Sequence, residues 1–221
     1  MSQVKDLVDA IDAFIVGCKD DAIWDAIKAC CIMAAWDGLT AIEVPLKGAA
    51  PTNNNFVSGD YNRKTGLVGD GATKYLDSNR NNNADPQNDN HNAVFVSTIG
   101  TGALLGPLSS TLTGDNTLST AATRSRNFTA DLYTLALTGF VGTARSGSSS
   151  YVRRTGNASS TITRTSQIPG STDITILRFN FGTPEYGSSR ISFYSIGEAL
   201  DLALLDSRVS TLMTAIGAAI P

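Results

Sequence analysis

From residue 56 to residue 196 the chain seldom sustains an apolar stretch before Gly, Asn, Ser or Thr interrupts it. That punctuation leaves room for many short strands and for no long helix. Residues 93–99 read as a buried strand, and residues 162–166 alternate in the manner of an exposed one. Residues 174–181 and 190–196 are the strongest strand predictions, because β-branched and aromatic residues dominate them. A weaker strand is expected at 73–77, while 127–138, with Phe128, Leu132, Tyr133, Leu135 and Leu137, fits neither the helical nor the strand period. Evenly spaced short strands with Gly, Asn and Ser between them mark a sandwich or barrel.

The flanks read differently. Val4, Leu7, Val8, Ile11, Ile15 and Cys18 recur at helical spacing, with Gly17 as a break. Asp20 or Asp21 is then placed to cap a second helix carrying Ile23, Trp24, Ile27, Cys31 and Met33. A Pro-, Gly- and Asn-rich hinge follows at 44–55. At the other end Asp201 is an N-cap, Leu204, Leu205, Val209, Leu212 and Ile216 form one stripe, and Gly217 is the expected stop. The predicted fold is all-β with flanking helices. A helical segment with its hinge spans 1–52 and a two-sheet antiparallel jelly-roll sandwich spans 53–200. A C-terminal helix spans 201–221, packed on the sandwich or at an oligomer interface. A chain of 221 residues is long enough for one such core.

Two stretches carry a family likeness. Gly66, Gly69, Asp70 and Gly71, leading into Thr73, Tyr75 and Leu76, resemble the opening strand of laminin-G-like, concanavalin-like jelly-roll modules of phage structural proteins. Residues 182–200, with Phe193-Tyr194-Ser195-Ile196-Gly197, resemble the closing hairpin of those modules. The lead-in around Ile23, Trp24 and Ile27 is similar too, whereas 100–165 matches none of the pattern. The resemblance implies two stacked sheets in a virion protein displayed on a capsid, tail or fibre. Independently of it, Gly66, Gly69 and Gly71 suit tight turns, and Gly197 suits an exit from the sheet.

Charge narrows the function classes. A net charge of -3 argues against nucleic-acid binding, which needs a basic face. Arg124, Arg126, Arg145, Arg153, Arg154, Arg164, Arg178 and Arg190 nonetheless populate the later part, and are expected to tint a solvated sheet face or to serve acidic glycans or an acidic partner. Lys5, Asp6, Asp9 and Asp12 interrupt the opening apolar pattern, so no secretory leader is expected, and no membrane span. Cys18, Cys30 and Cys31 lack metal-binding spacing and read as small buried hydrophobes.

No catalytic constellation announces itself. His91 is the single histidine, expected in an inert polar loop, and no nucleophile elbow or glycosidase acid pair accompanies it. The Asn- and Asp-rich stretch 77–90 offers Asp77, Asp85 and Asp89 as Ca²⁺ ligands. Local side-chain-to-backbone bonds in a turn would explain the same residues. Tyr186, Tyr151, Arg153 and Asn82 are the candidate ligand-binding residues, the tyrosines by stacking on sugars unless they pack in the core. The expectation is a non-enzymatic virion structural protein, made in the host cytoplasm and lacking a cofactor. Its partners would be further copies of itself, with a trimer favoured, and other virion proteins. A carbohydrate-binding module for host-surface glycan is the alternative, and a polysaccharide-cleaving enzyme the weakest reading.

Overall fold

The computed structural model describes residues 3–108, 114–180 and 182–221. Helix α1 (Gln3–Asp20) and helix α2 (Leu202–Ala219) lie side by side and antiparallel. Gln3 reaches the Ala219 carbonyl at one end of the pair, and Asp21 meets Arg208 towards the other. Beneath them is an eight-stranded sheet. Its spatial order is β13 (Ala158–Thr163), β12 (Ser150–Thr155), β11 (Gly139–Arg145), β6 (Asn90–Thr98), β17 (Arg190–Gly197), β4 (Gly66–Val68) and β3 (Tyr61–Asn62). Strand β1 (Ile27–Ile32) also pairs with β17. Stacked on this is a seven-stranded sheet, in the order β10 (Asp131–Leu132), β9 (Ala122–Ser125), β8 (Asn116–Ser119), β7 (Ala103–Pro107), β14 (Asp173–Ile176), β5 (Tyr75–Asn81) and β2 (Thr52–Asn54). All pairings are antiparallel. A two-stranded hairpin, β15 (Arg178–Asn180) and β16 (Pro184–Tyr186), lies on the outer face of the second sheet, where Phe179 packs over Gly106 and Thr117.

The eight-stranded sheet is therefore covered on both faces, and its residues divide by parity. Ala93, Phe140, Phe193, Cys30 and Ile32 face the helices, meeting Leu7, Ile11, Phe14, Leu205, Val209, Leu212 and Ile216. Val94, Val96, Val141, Tyr194, Ile196, Ala29 and Cys31 face the other sheet, meeting Leu76, Leu104, Leu118, Ile174 and Ile176. The Phe14 and Phe193 rings pack edge to face, 5.7 Å apart.

This layering corrects the helix expected after Asp20. Helix α1 runs through Gly17, whose missing Cβ admits the Arg208 guanidinium, and ends where Ile23 and Trp24 donate to the Cys18 carbonyl. Residues 27–32 are then a strand. A strand buried on both faces is apolar at successive positions, a pattern that periodicity alone does not separate from a buried helix. The hinge is corrected as well: Cys30 and Lys47 form a bridge, and Thr52 to Asn54 pair with β5. The sheets thus draw strands from both sides of residue 52. The strand expected at 174–181 breaks at Leu177, where φ is +66°, and the chain leaves the sheet there to enter β15; Phe181 lies outside the described residues. Within 127–138 the strand content is β10 alone. Helix α2 is capped by Asp201, which accepts from Ala203 and Leu204, and it continues through Gly217 to Ala219.

Candidate binding surface

The two motifs that carried the family likeness meet in space. The Gly69 and Gly71 amides donate to the Ser189 and Gly187 carbonyls at 3.1 Å each. The segment around Gly187 is wedged between this turn and residues 100–103, with Ser188 donating to the Thr101 carbonyl. Backbones approach so closely that a Cβ on Gly69 would lie 2.0 Å from the Gly187 oxygen. Asp70 locks the turn by accepting from the Ala72, Thr73 and Lys74 amides. The motifs are one structural clasp that closes an end of the sandwich and seats the β16–β17 connection.

Just before that clasp, on the outside of the seven-stranded sheet, stands the arrangement best suited to contact a ligand. Tyr75 is on the outer face of β5, since its neighbour Leu76 points into the core. Arg178 and Tyr186 are register partners across the β15–β16 hairpin. The Arg178 guanidinium lies 4.6 Å from the Tyr75 ring centre and 5.3 Å from that of Tyr186. The rings themselves are 6.3 Å apart at 60°. All three side chains are half-buried. Arg178 Nε is shielded from solvent without a hydrogen-bond partner, and so is Asn180 Oδ1 two residues on.

The residues expected to bind ligand do not converge. Tyr186 belongs to this platform. Tyr151 is buried between the sheets, its hydroxyl donating to Asp131 at 2.9 Å and lying 3.0 Å from that of Thr123, and burial raises its pKa. It is a core residue and not a stacking surface. Arg153 lies over the Tyr133 ring at 4.8 Å and donates to the Asp131 and Leu132 carbonyls, which staples β12 to the chain beside β10. Asn82 is fully buried and accepts from Arg126 at 2.5 Å. Tyr194 is buried in the core, and its hydroxyl has no hydrogen-bond partner.

The expected metal loop is likewise dispersed by other duties. Asp77 caps the Asn79 amide, Asp85 pairs with Arg80, and Asp89 accepts from Ala199 at 2.7 Å. Among the described residues no group of three or more His, Cys, Asp and Glu side chains could hold a metal ion. The arginines are not uniformly a solvated tint either. Arg126 and Arg145 are fully buried, the first held by Asn82 and the Asp85 carbonyl, the second by the carbonyls of Ser125, Gly147, Ser150 and Arg164. Burial lowers the Arg126 pKa to about 10, against the pull of Asp85 and Asp115.

His91 is not in a loop. It is the second residue of β6 and fully buried, with Nδ1 2.6 Å from the Glu198 carbonyl and Nε2 2.8 Å from Ser195 Oγ. Its burial lowers the pKa to about 4. The His91 and Ser195 side chains are both fully buried. Carrying the alternation of Ala93 and Phe95 back by two residues places His91 on the same helix-facing side, a signal the polar neighbours Asn90 and Asn92 obscure.

No protein-family model matches the chain, and no curated protein sequence matches it. Solved structures similar to it include a mutant of Trypanosoma rangeli sialidase displaying trans-sialidase activity. That match has a TM-score of 0.50 and 11% identity, and covers 97% of this chain and 38% of the sialidase chain. Another is domain 4 of an extracellular arabinanase from Geobacillus stearothermophilus in complex with arabinotriose. There the TM-score is 0.46 and the identity 8%, over 73% of this chain and 82% of that domain. At such identities the sialidase likeness bears on the fold, a jelly-roll-like β-sandwich, and on that alone.

Proposed function

We propose that the chain is a non-enzymatic structural subunit of a phage virion, a capsid decoration, fibre or tail-associated protein. It would associate with further copies of itself through its helix layer, with a trimer favoured. The observation that carries this reading is the outer side of α1. At 100° per residue, Val4, Val8 and Ile15 fall within an arc of about 40° beside the buried stripe of Leu7, Ile11, Phe14 and Cys18. The sheet covers that stripe but leaves Val4 63% and Val8 41% exposed, with Val16 54% exposed farther round. An apolar margin of this kind stabilises a contact on the order of 1 kcal/mol per valine covered. The opposite side of the molecule carries the β15–β16 hairpin, so attachment and display would use opposed faces. Solution mass by size exclusion with light scattering tests this: a closed oligomer supports it, and a monomer at all concentrations removes its basis.

The Tyr75–Arg178–Tyr186 platform favours a second reading, a carbohydrate-binding module for host-surface attachment. Tyrosines beside a cation on an exposed hairpin suit sugar rings and their substituents. Both roles are compatible in one virion protein, the helices serving assembly and the hairpin recognition.

A further inference from the structure

We infer that the β15–β16 hairpin binds a carboxylated sugar, of the uronic-acid class, with its carboxylate on the guanidinium of Arg178. The inference rests on the carbohydrate-binding reading and gives it a site and a ligand chemistry. Arg178 is singular among the described arginines. Each of the others donates a hydrogen bond or is in an ion pair: Arg63, Arg80, Arg154, Arg164 and Arg208 with acids, and the rest with carbonyl or amide oxygens. Arg178 has two tyrosine rings against it and no acceptor. Its Nε is sealed from water without a partner, while its Nη groups, equally unpartnered, are not sealed. A guanidinium partly stripped of water and given no acceptor is costly, and a planar carboxylate is the acceptor that matches its fork.

The second orphan restricts the ligand further. Asn180 Oδ1 is an acceptor without a donor, and Asn180 shares a face of β15 with Arg178, about 7 Å away at the i, i+2 spacing of a strand. A ligand satisfying both must bring an anionic acceptor and a hydrogen-bond donor on one small frame. A sugar acid has both, and Tyr75 and Tyr186 hold the guanidinium in place between them. A simple carboxylate brings only the first group.

Isothermal titration of the full chain with trigalacturonate, neutral galactotriose and an acidic tripeptide tests this, using Arg178→Met, Arg178→Lys and, as control, Arg153→Met. The expected result is saturable binding of trigalacturonate. It weakens about tenfold or more in both Arg178 variants, because lysine keeps the charge but not the fork. It survives in Arg153→Met, and neither galactotriose nor the peptide binds. Arg178→Lys retains a cation between the rings, so a loss there with unchanged melting temperature is not a folding failure. Absence of trigalacturonate binding, equal binding by the Arg178 variants, or equal binding of the peptide overturns the inference. Binding of galactotriose that ignores Arg178 also overturns it, while leaving the carbohydrate-binding reading in place.

Discussion

Gly187 sits where chain segments cross, and a Cβ there would lie 1.9 Å from the Ala103 carbonyl oxygen, an obstacle that no rotamer relieves. Gly187→Ala is therefore expected to destabilise by about 1–3 kcal/mol, the range for overpacking, whereas Gly147→Ala, with nothing within 4 Å of its Cβ, stays near neutral. Denaturant midpoints of the two variants check this, and equal midpoints would contradict the clasp. His91 makes a pH-dependent counterpart. Its folded pKa of about 4 lies below the 6.5 of an unfolded histidine, so between those values the unfolded chain binds a proton that the native one refuses. Stability present above pH 6.5 is lost as pH falls towards 4, by on the order of 3 kcal/mol for this group. The unfolding free energy of His91→Asn should fall less steeply over that window than the native protein's. Parallel profiles would mean that the histidine is not held neutral.

Among the elements, β1 is where reading by pattern and reading by packing part company. Cys30 faces the helices and Cys31 the opposing sheet, so the adjacent pair occupies two different cores. Burial raises Cys31, and Cys18 on the buried face of α1, to about 12, and drives Cys30 well above the ordinary thiol range. All three thiols should resist a thiol reagent in the folded protein and react together on unfolding; a reactive Cys30 or Cys31 in the native state would place β1 at the surface. Strand β17, expected at 190–196, was legible from its β-branched and aromatic composition, whereas the alternation read at 162–166 caught β13 only at Ile162 and Thr163. Asp201 was legible as a cap, because capping is a local interaction. Strand β1 and His91 were not legible, since their burial comes from a helix layer that only the tertiary fold supplies. Of the candidate site, Tyr186 was singled out from the sequence, and Arg178 only as one of eight arginines offered for acidic glycans or an acidic partner. Arg178 gave no signal of its own, because its isolation from acids depends on how β15 leaves the sheet at Leu177.

At the scale of the molecule, the chain is a stack of helix pair, eight-stranded sheet, seven-stranded sheet and hairpin, and its two outermost layers differ in character. The helix layer ends in an incompletely covered apolar margin, and the hairpin layer ends in half-buried aromatic and cationic side chains. Self-association through the first would leave the second free. The most direct test is the mass of the native chain beside that of a Val4→Glu, Val8→Glu double variant, measured by light scattering over a range of concentrations. The account predicts a closed oligomer for the native chain and a monomer of unchanged melting temperature for the variant. A native monomer, or an oligomer that tolerates both glutamates, would contradict it.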